Sequence, residues 1–425
     1  MEFVGDMQRV FLIGQKEAIV MGKHRFFARV LWITVTIGCA VLMSVSSSAA
    51  GEKQIVMDIT THGSRTDGAW SQHFYEAYMN IKDKHPEVEV SFTDMVDFGE
   101  MPSVLEFKCK KGPDLIYIDS VWLEAIVKIA PKYPKIWFAV PNLTEEIVSK
   151  LSDNVTCYSS KDQQGAYMSG VAAGMATKTN ILGYVGAMDY PSMIRVGKAF
   201  ELGAKSVNPE VKLLVMYTGD WIDVQKGYEA GKALIEVGAD VLLLYCDNAG
   251  KGVFKAAKDN NVYIVGQCRD QVEFAPKLTI TGYLQDHIRL TEKVLSDFKS
   301  GQLRKGVFAF GIEEGWPVMA PLRNVSPEAI AKVNEARESI KKGEIEVPVI
   351  TDPKTLRRLR SSYPLGLDSV RCPAFCAGHR TDPFSCRWGD LQPRFSKRER
   401  INDGYRSRGK TNHQKIWLRG GQRPH

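Results

Sequence analysis

The stretch from Ile181 to Gln271 constrains the fold more than any other part of the chain. Short apolar runs, ILGYVGAM, VKLLVMY, DVLLLYC and VYIVGQC, alternate there with longer amphipathic segments. Such alternation marks βα units laid on a parallel sheet. The runs are continuously apolar, which predicts strands covered on both faces. Ligands of such sheets sit outside the carboxyl ends of the strands. Four ends fall in this stretch: Asp189-Tyr190-Pro191, Gly219-Asp220-Trp221, Cys246-Asp247-Asn248 and Gln267 to Gln271. They offer aromatic surface, carboxylates and amides. They hold no nucleophile beside its base, no Walker glycine loop and no compact metal set, so no cofactor or metal is called for.

A second series of the same kind precedes it. Strands are expected at Gln54–Thr60, Glu87–Thr93, Asp114–Ile118 and Lys135–Val140, with helices at Ser71–Lys84, Gly99–Lys111 and Val121–Ala130. The fold class that follows is α/β, with two doubly wound parallel-sheet lobes and a hinge cleft between them. Residues 51–160 form the first lobe and 161–356 the second, with crossings that return to the first. Interdomain clefts are a preferred place for small ligands. The helix expected at Asp162–Thr177 carries Gly165, Gly170, Ala173 and Gly174, which suit close packing between backbones. Further on, a strand is expected at Leu278–Thr281, a helix at Gln285–Lys299, an extended segment at Val307–Ile312, a helix at Pro327–Lys342 and a closing strand at Ile345–Ile350.

The two ends of the chain read differently. Residues 1–50 comprise an extension and a secretory signal: Lys23, His24, Arg25 and Arg29 precede the uncharged run Val30–Val45, and Ser46-Ser47-Ser48-Ala49-Ala50 supplies small residues for cleavage after Ala50. An uncleaved anchor is the rival reading, but the run is shorter than the roughly twenty residues of a membrane span. Cys39 after Gly38 offers a site for a lipid anchor. At the other end, from Arg357 onward, sixteen Lys/Arg stand against five Asp/Glu, or +11, so the formal net charge of +7 leaves −4 for residues 1–356. The body's charge therefore makes no case for nucleic-acid binding. Residues 357–425 lack apolar periodicity and are expected to be a basic disordered tail. Cys372, Cys376, His379 and Cys386 there imitate a zinc site without a core to hold it. In the body, Cys246 and Cys268 end strands that are candidate neighbours, so a disulfide between them is possible.

The body resembles a known family. The likeness is carried by Tyr167-Met168-Ser169-Gly170-Val171-Ala172-Ala173-Gly174, by Lys178-Thr179-Asn180-Ile181-Leu182-Gly183-Tyr184-Val185-Gly186 and by Gly203-Ala204-Lys205-Ser206-Val207-Asn208-Pro209. Trp221-Ile222-Asp223, Gly238-Ala239-Asp240-Val241 and Asp270-Gln271 with Phe274-Ala275-Pro276 continue it. In order and spacing these pieces resemble the basic membrane protein family of ABC-transporter substrate-binding proteins, which includes purine-nucleoside receptors. The resemblance implies a type I periplasmic-binding fold, a monomer outside the cytoplasm that closes on a small solute and delivers it to an ABC permease. It implies no catalysis.

Candidate ligand residues follow. Trp70 stands where the family places an aromatic in its first-lobe loop, and Trp221 matches the aromatic of the second lobe. Two rings across a cleft could sandwich a purine nucleoside or nucleobase. Asp67 lies in the loop of Trp70, and Asn142 falls where nucleoside-binding members often have a carboxylate. Asp119, Asp247 and Asp270 complete the set, each with helix capping as its structural alternative. Where the family commonly reads Gly-x-Asp-x-Asp-Gln, this chain reads Gly266-Gln267-Cys268-Arg269-Asp270-Gln271. Cys268 cannot grip vicinal hydroxyls as a carboxylate does, which puts a free base on a par with a nucleoside. From another class, a periplasmic nucleoside hydrolase would use Asp247 or Asp270 as base, and a sensory receptor would couple the same fold to a membrane signalling partner.

Overall fold

The computed structural model describes residues 54–357. The expected signal, the Cys39 anchor site and the cysteine-containing tail lie outside them. The first lobe begins β1 (Ile55–Thr60), α1 (Trp70–Lys84), β2 (Val88–Thr93), α2 (Met101–Lys110), β3 (Leu115–Ile118), α3 (Leu123–Ile129), β4 (Trp137–Ala139) and β5 (Val155–Ser160). The second lobe follows with α4 (Asp162–Ala176), β6 (Ile181–Gly186), α5 (Pro191–Val207), β7 (Lys212–Tyr217), α6 (Val224–Glu236), β8 (Val241–Tyr245), α7 (Gly250–Asn260), β9 (Tyr263–Gly266) and β10 (Thr279–Gly282). The chain then returns: α8 (His287–Lys299) packs on α1, and β11 (Gly306–Phe310) joins the first sheet beside β5. Finally α9 (Pro327–Lys341) packs on α4 in the second lobe.

Both sheets are parallel throughout. The first has the order β11-β5-β4-β3-β1-β2 and the second β10-β9-β8-β6-β7. In each, the order reverses beside the first strand, where the loops diverge and leave a crevice. The central strands β3 and β8 are buried along their whole length, as their unbroken apolar runs require, and β5 is as fully buried. Helices α4 and α5 lie in direct backbone contact: a Cβ on Gly203 would stand 1.9 Å from the carbonyl oxygen of Tyr167, and one on Gly170 2.1 Å from that of Phe200. The small residues of α4 are thus packing residues.

Three expectations need correction or addition. Ile345–Ile350 is not a strand; Pro348 has no N–H to donate to a ladder, and the run meets the second-lobe core through its buried Val347 and the partly buried Ile345. The lobe is closed instead by Leu356, which is buried in its core, and by Val215 N–H donating to the carbonyl of Arg357 at 3.0 Å. Strand β5, whose sequence VTCYSS carries little apolar signal, was not anticipated. Cys246 and Cys268 are both free, so the possible disulfide is not formed.

Candidate functional site

Among the described residues the chain crosses between the lobes after β5, after β10 and after β11, at Lys161, at Tyr283–Asp286 and at Gly311–Met319. These crossings are laced together: Lys161 N donates to Phe310 O at 2.7 Å, Leu284 N to Val318 O at 2.8 Å and Ile312 N to Gln164 Oε1 at 3.0 Å. With the lobes so hinged, the carboxyl ends of both sheets face one another. Met95, Asn142, Asp247 and Cys268 each follow a strand (β2, β4, β8 and β9), and each has positive φ, between 43° and 67°. Non-glycine residues held left-handed cost of order 1 kcal/mol or more and gather at functional sites. Here they turn the chain back sharply at the mouth of the crevice.

The centre of the crevice is His62, in the loop after β1. Its Nδ1 donates to Asp119 Oδ2 at 2.7 Å, while its Nε2 faces Asp247 Oδ2 of the second lobe at 3.6 Å. Asp119 Oδ2 also accepts from Trp70 Nε1 at 2.8 Å and Thr61 Oγ1 at 3.1 Å, and Asp119 Oδ1 from the backbone N–H of Val121. On the other side, Asp247 Oδ1 accepts from Gln267 Nε2 at 2.7 Å. Around the imidazole stand three aromatic rings: Phe98 at 5.7 Å, Trp122 edge-on at 6.3 Å and Trp221 edge-on at 5.9 Å between centroids. Tyr190 lies 6.3 Å from Trp221 on the second lobe.

The electrostatics follow from this burial. Burial alone would lower the pKa of His62, but the charge and hydrogen bond of Asp119, with Asp247 and Asp67 beyond, outweigh it and raise it to about 9. Burial pushes Asp247 up to about 8, Asp67 adding to the shift and His62 opposing it. Burial would raise Asp119 too, yet its hydrogen bonds and the His62 charge bring it below the ordinary range.

The structure separates the predicted residues. Asp119, Asp247, Trp70 and Trp221 meet at His62. Trp70, however, is not the ring that faces Trp221: it is 5% exposed, seated in the first-lobe core against Phe74 and His287, and reaches the crevice only through its N–H. Asp67 caps α1, accepting from the backbone N–H groups of Ala69, Ser71 and Gln72. Asn142 lies toward the hinge, donating to the Tyr245 hydroxyl at 3.2 Å and accepting from Arg195 at 2.7 Å; Arg195 in turn forks onto Asp162. Asp270 is paired with Arg323 at 2.7 and 3.1 Å. Cys268 is fully buried and donates to Gln285 Oε1 at 3.1 Å. His62, Phe98 and Trp122 were not anticipated. His62 had a signal, since it stands in the loop after β1 that also carries Asp67.

Residues 54–351 match the family model of PnrA-like ABC transporter substrate-binding proteins. The chain belongs to this family. Among its relatives, a purine-binding protein of Brucella abortus is 28% identical over 309 residues, covering 71% of this chain and 85% of its own. An ABC transporter nucleoside-binding protein of Lactococcus lactis is 30% identical over 220 residues, covering 47% of this chain and 62% of its own. A solved ABC-transporter solute-binding protein of Aeropyrum pernix superposes with a TM-score of 0.63 at 21% identity, covering 71% of this chain and 94% of its own. The PnrA-like assignment agrees with the observed two-lobed fold. Among the described residues no group of three or more His, Cys, Asp or Glu is placed to hold a metal, and no helix is long and apolar enough to cross a membrane.

Proposed function

We propose that this protein is the extracytoplasmic receptor of an ABC importer and takes a flat purine-type solute, nucleobase or nucleoside, into the crevice at His62. The observation that carries the reading is the junction of the lobes. One carboxylate from each lobe, Asp119 and Asp247, flanks a site walled by Trp221, Phe98 and Trp122. Aromatic walls with a few placed polar groups suit a planar heterocycle. The purine- and nucleoside-binding relatives support the same ligand class.

Closure is the transport signal in this reading. Lys251 of α7 donates to the Thr66 carbonyl at 2.7 Å, Gln271 to the Gly68 carbonyl at 2.8 Å, and Arg269 pairs with Glu76 at 3.2 Å. A solute that touches both lobes favours the shut form by its differential affinity, and a permease then meets both lobes in one arrangement. No catalysis is assigned. Cys246 and Cys268 are buried thiols pushed upward by burial, which keeps them from acting as thiolate nucleophiles.

Mass spectrometry of the solute that co-purifies with the mature protein, followed by calorimetry with that solute, tests the proposal. A purine or nucleoside bound tightly and recovered unchanged is the expected result. A sugar or amino acid would overturn the ligand class, and release of free base from a nucleoside would overturn the receptor.

A further inference from the structure

Hydrogen-bonding direction at the centre of the crevice narrows the ligand further, on the assumption that the purine-type reading above is right. The ring of His62 cannot turn freely. Its Nδ1 is committed to Asp119, a carboxylate that already accepts from Trp70, Thr61 and the backbone N–H of Val121. This leaves Nε2 as the polar edge presented to the second lobe, where the nearest carboxylate oxygen, on Asp247, is 3.6 Å away. That separation is an ion-pair distance and too long for a hydrogen bond. With two carboxyl groups facing it, from the ends of β3 and β8, and Asp67 behind it in its own loop, the ring is held as imidazolium, so Nε2 carries a hydrogen. Beside it, Trp122 is 4% exposed and buries an indole N–H that has no acceptor. The middle of the site is therefore rich in donors.

We propose that His62 is the specificity-determining residue of the crevice: it selects a flat heterocycle that turns a ring carbonyl toward its Nε2–H, as a 6-oxopurine does, over one that turns an exocyclic amino group there, as adenine does. An oxo group completes a charge-assisted hydrogen bond. An amino group sets donor against donor and leaves both unmatched in a buried place, a loss of about tenfold or more.

Calorimetry with hypoxanthine and adenine tests this on the wild-type protein and on His62→Gln, with thermal melting as the check of fold. Hypoxanthine is expected to bind at least tenfold more tightly than adenine to the wild type, and His62→Gln to bring the two within about threefold by weakening hypoxanthine. Equal or tighter adenine binding by the wild type overturns the proposal without needing any variant. So does a preference that His62→Gln leaves intact. A protein that binds nucleosides or nucleobases without discriminating oxo from amino refutes this inference alone; one that binds none of them refutes the ligand class on which it rests.

Discussion

Asp119 shows how one residue can serve the fold and the site together. Its two oxygens collect hydrogen bonds from Val121 N, Thr61, Trp70 and His62, so the cap of the helical turn after β3 and the aim of the imidazole are set by the same carboxylate. Trp221 has a simpler part, as a half-buried wall beside His62. Trp221→Ala should weaken ligand binding at least tenfold in calorimetry while the protein still melts cooperatively, since a large aromatic anchor is worth more than about 1.4 kcal/mol. Unchanged affinity would remove the indole from the site. The titration of the crevice also reaches stability. His62 goes from 6.5 in the ordinary state to about 9 in the fold, so its contribution is complete below about 6.5 and is lost as pH rises through 9. Asp247, raised from 3.8 to about 8, works in the same direction at lower pH. Urea unfolding should therefore give a smaller free energy at pH 9 than at pH 6.5, and His62→Gln should flatten that decline. A wild-type curve that rises over this window would contradict the assigned charges.

Among the elements, the strands and helices with strong periodicity follow the sequence closely: DLIYI became β3 and VEVSFT β2 with little shift. The two discrepancies have physical causes. β5 is recognised by tertiary position, because VTCYSS is polar enough to pass for a loop until β4 and β11 flank it. In Ile345–Ile350 the β-branched residues promised a strand, but Pro348 removes the donor a ladder needs. The true closing contact is Leu356, packed close to Gly197 of α5. A chain ending at Thr355 should accordingly melt several degrees below one ending at Arg357, because a buried leucine is worth about 2 kcal/mol or more. Identical melting temperatures would place the lobe's closure upstream.

For the whole molecule, the decisive feature is the meeting of lobes at Gly68. It has φ of +87°, and a Cβ there would stand 2.7 Å from the ring of Phe274 on the other lobe. Gly68→Ala should hinder closure by both strain and collision. Small-angle scattering with saturating ligand should then report a larger radius of gyration than the wild type, and affinity should fall although His62 and Trp221 are untouched. A variant that closes and binds normally would show that the lobes need not meet there.

The sequence by itself determined the parallel-sheet lobes, because unbroken apolar runs separated by amphipathic helices admit few other folds. It also determined that Asp119, Asp247, Trp70 and Trp221 would stand near strand ends, where ligands of such sheets are met. Only the tertiary structure decided which of these converge. Position at a strand end does not say which way a side chain turns: Asp67 turned into a helix cap, Asp270 toward Arg323, and Trp70 into the core. The same is true of His62, an unremarked residue in its own loop until the second lobe brings Asp247 and Trp221 against it. Contacts between residues nearly two hundred positions apart depend on how the lobes hinge, and local pattern carries no record of that angle.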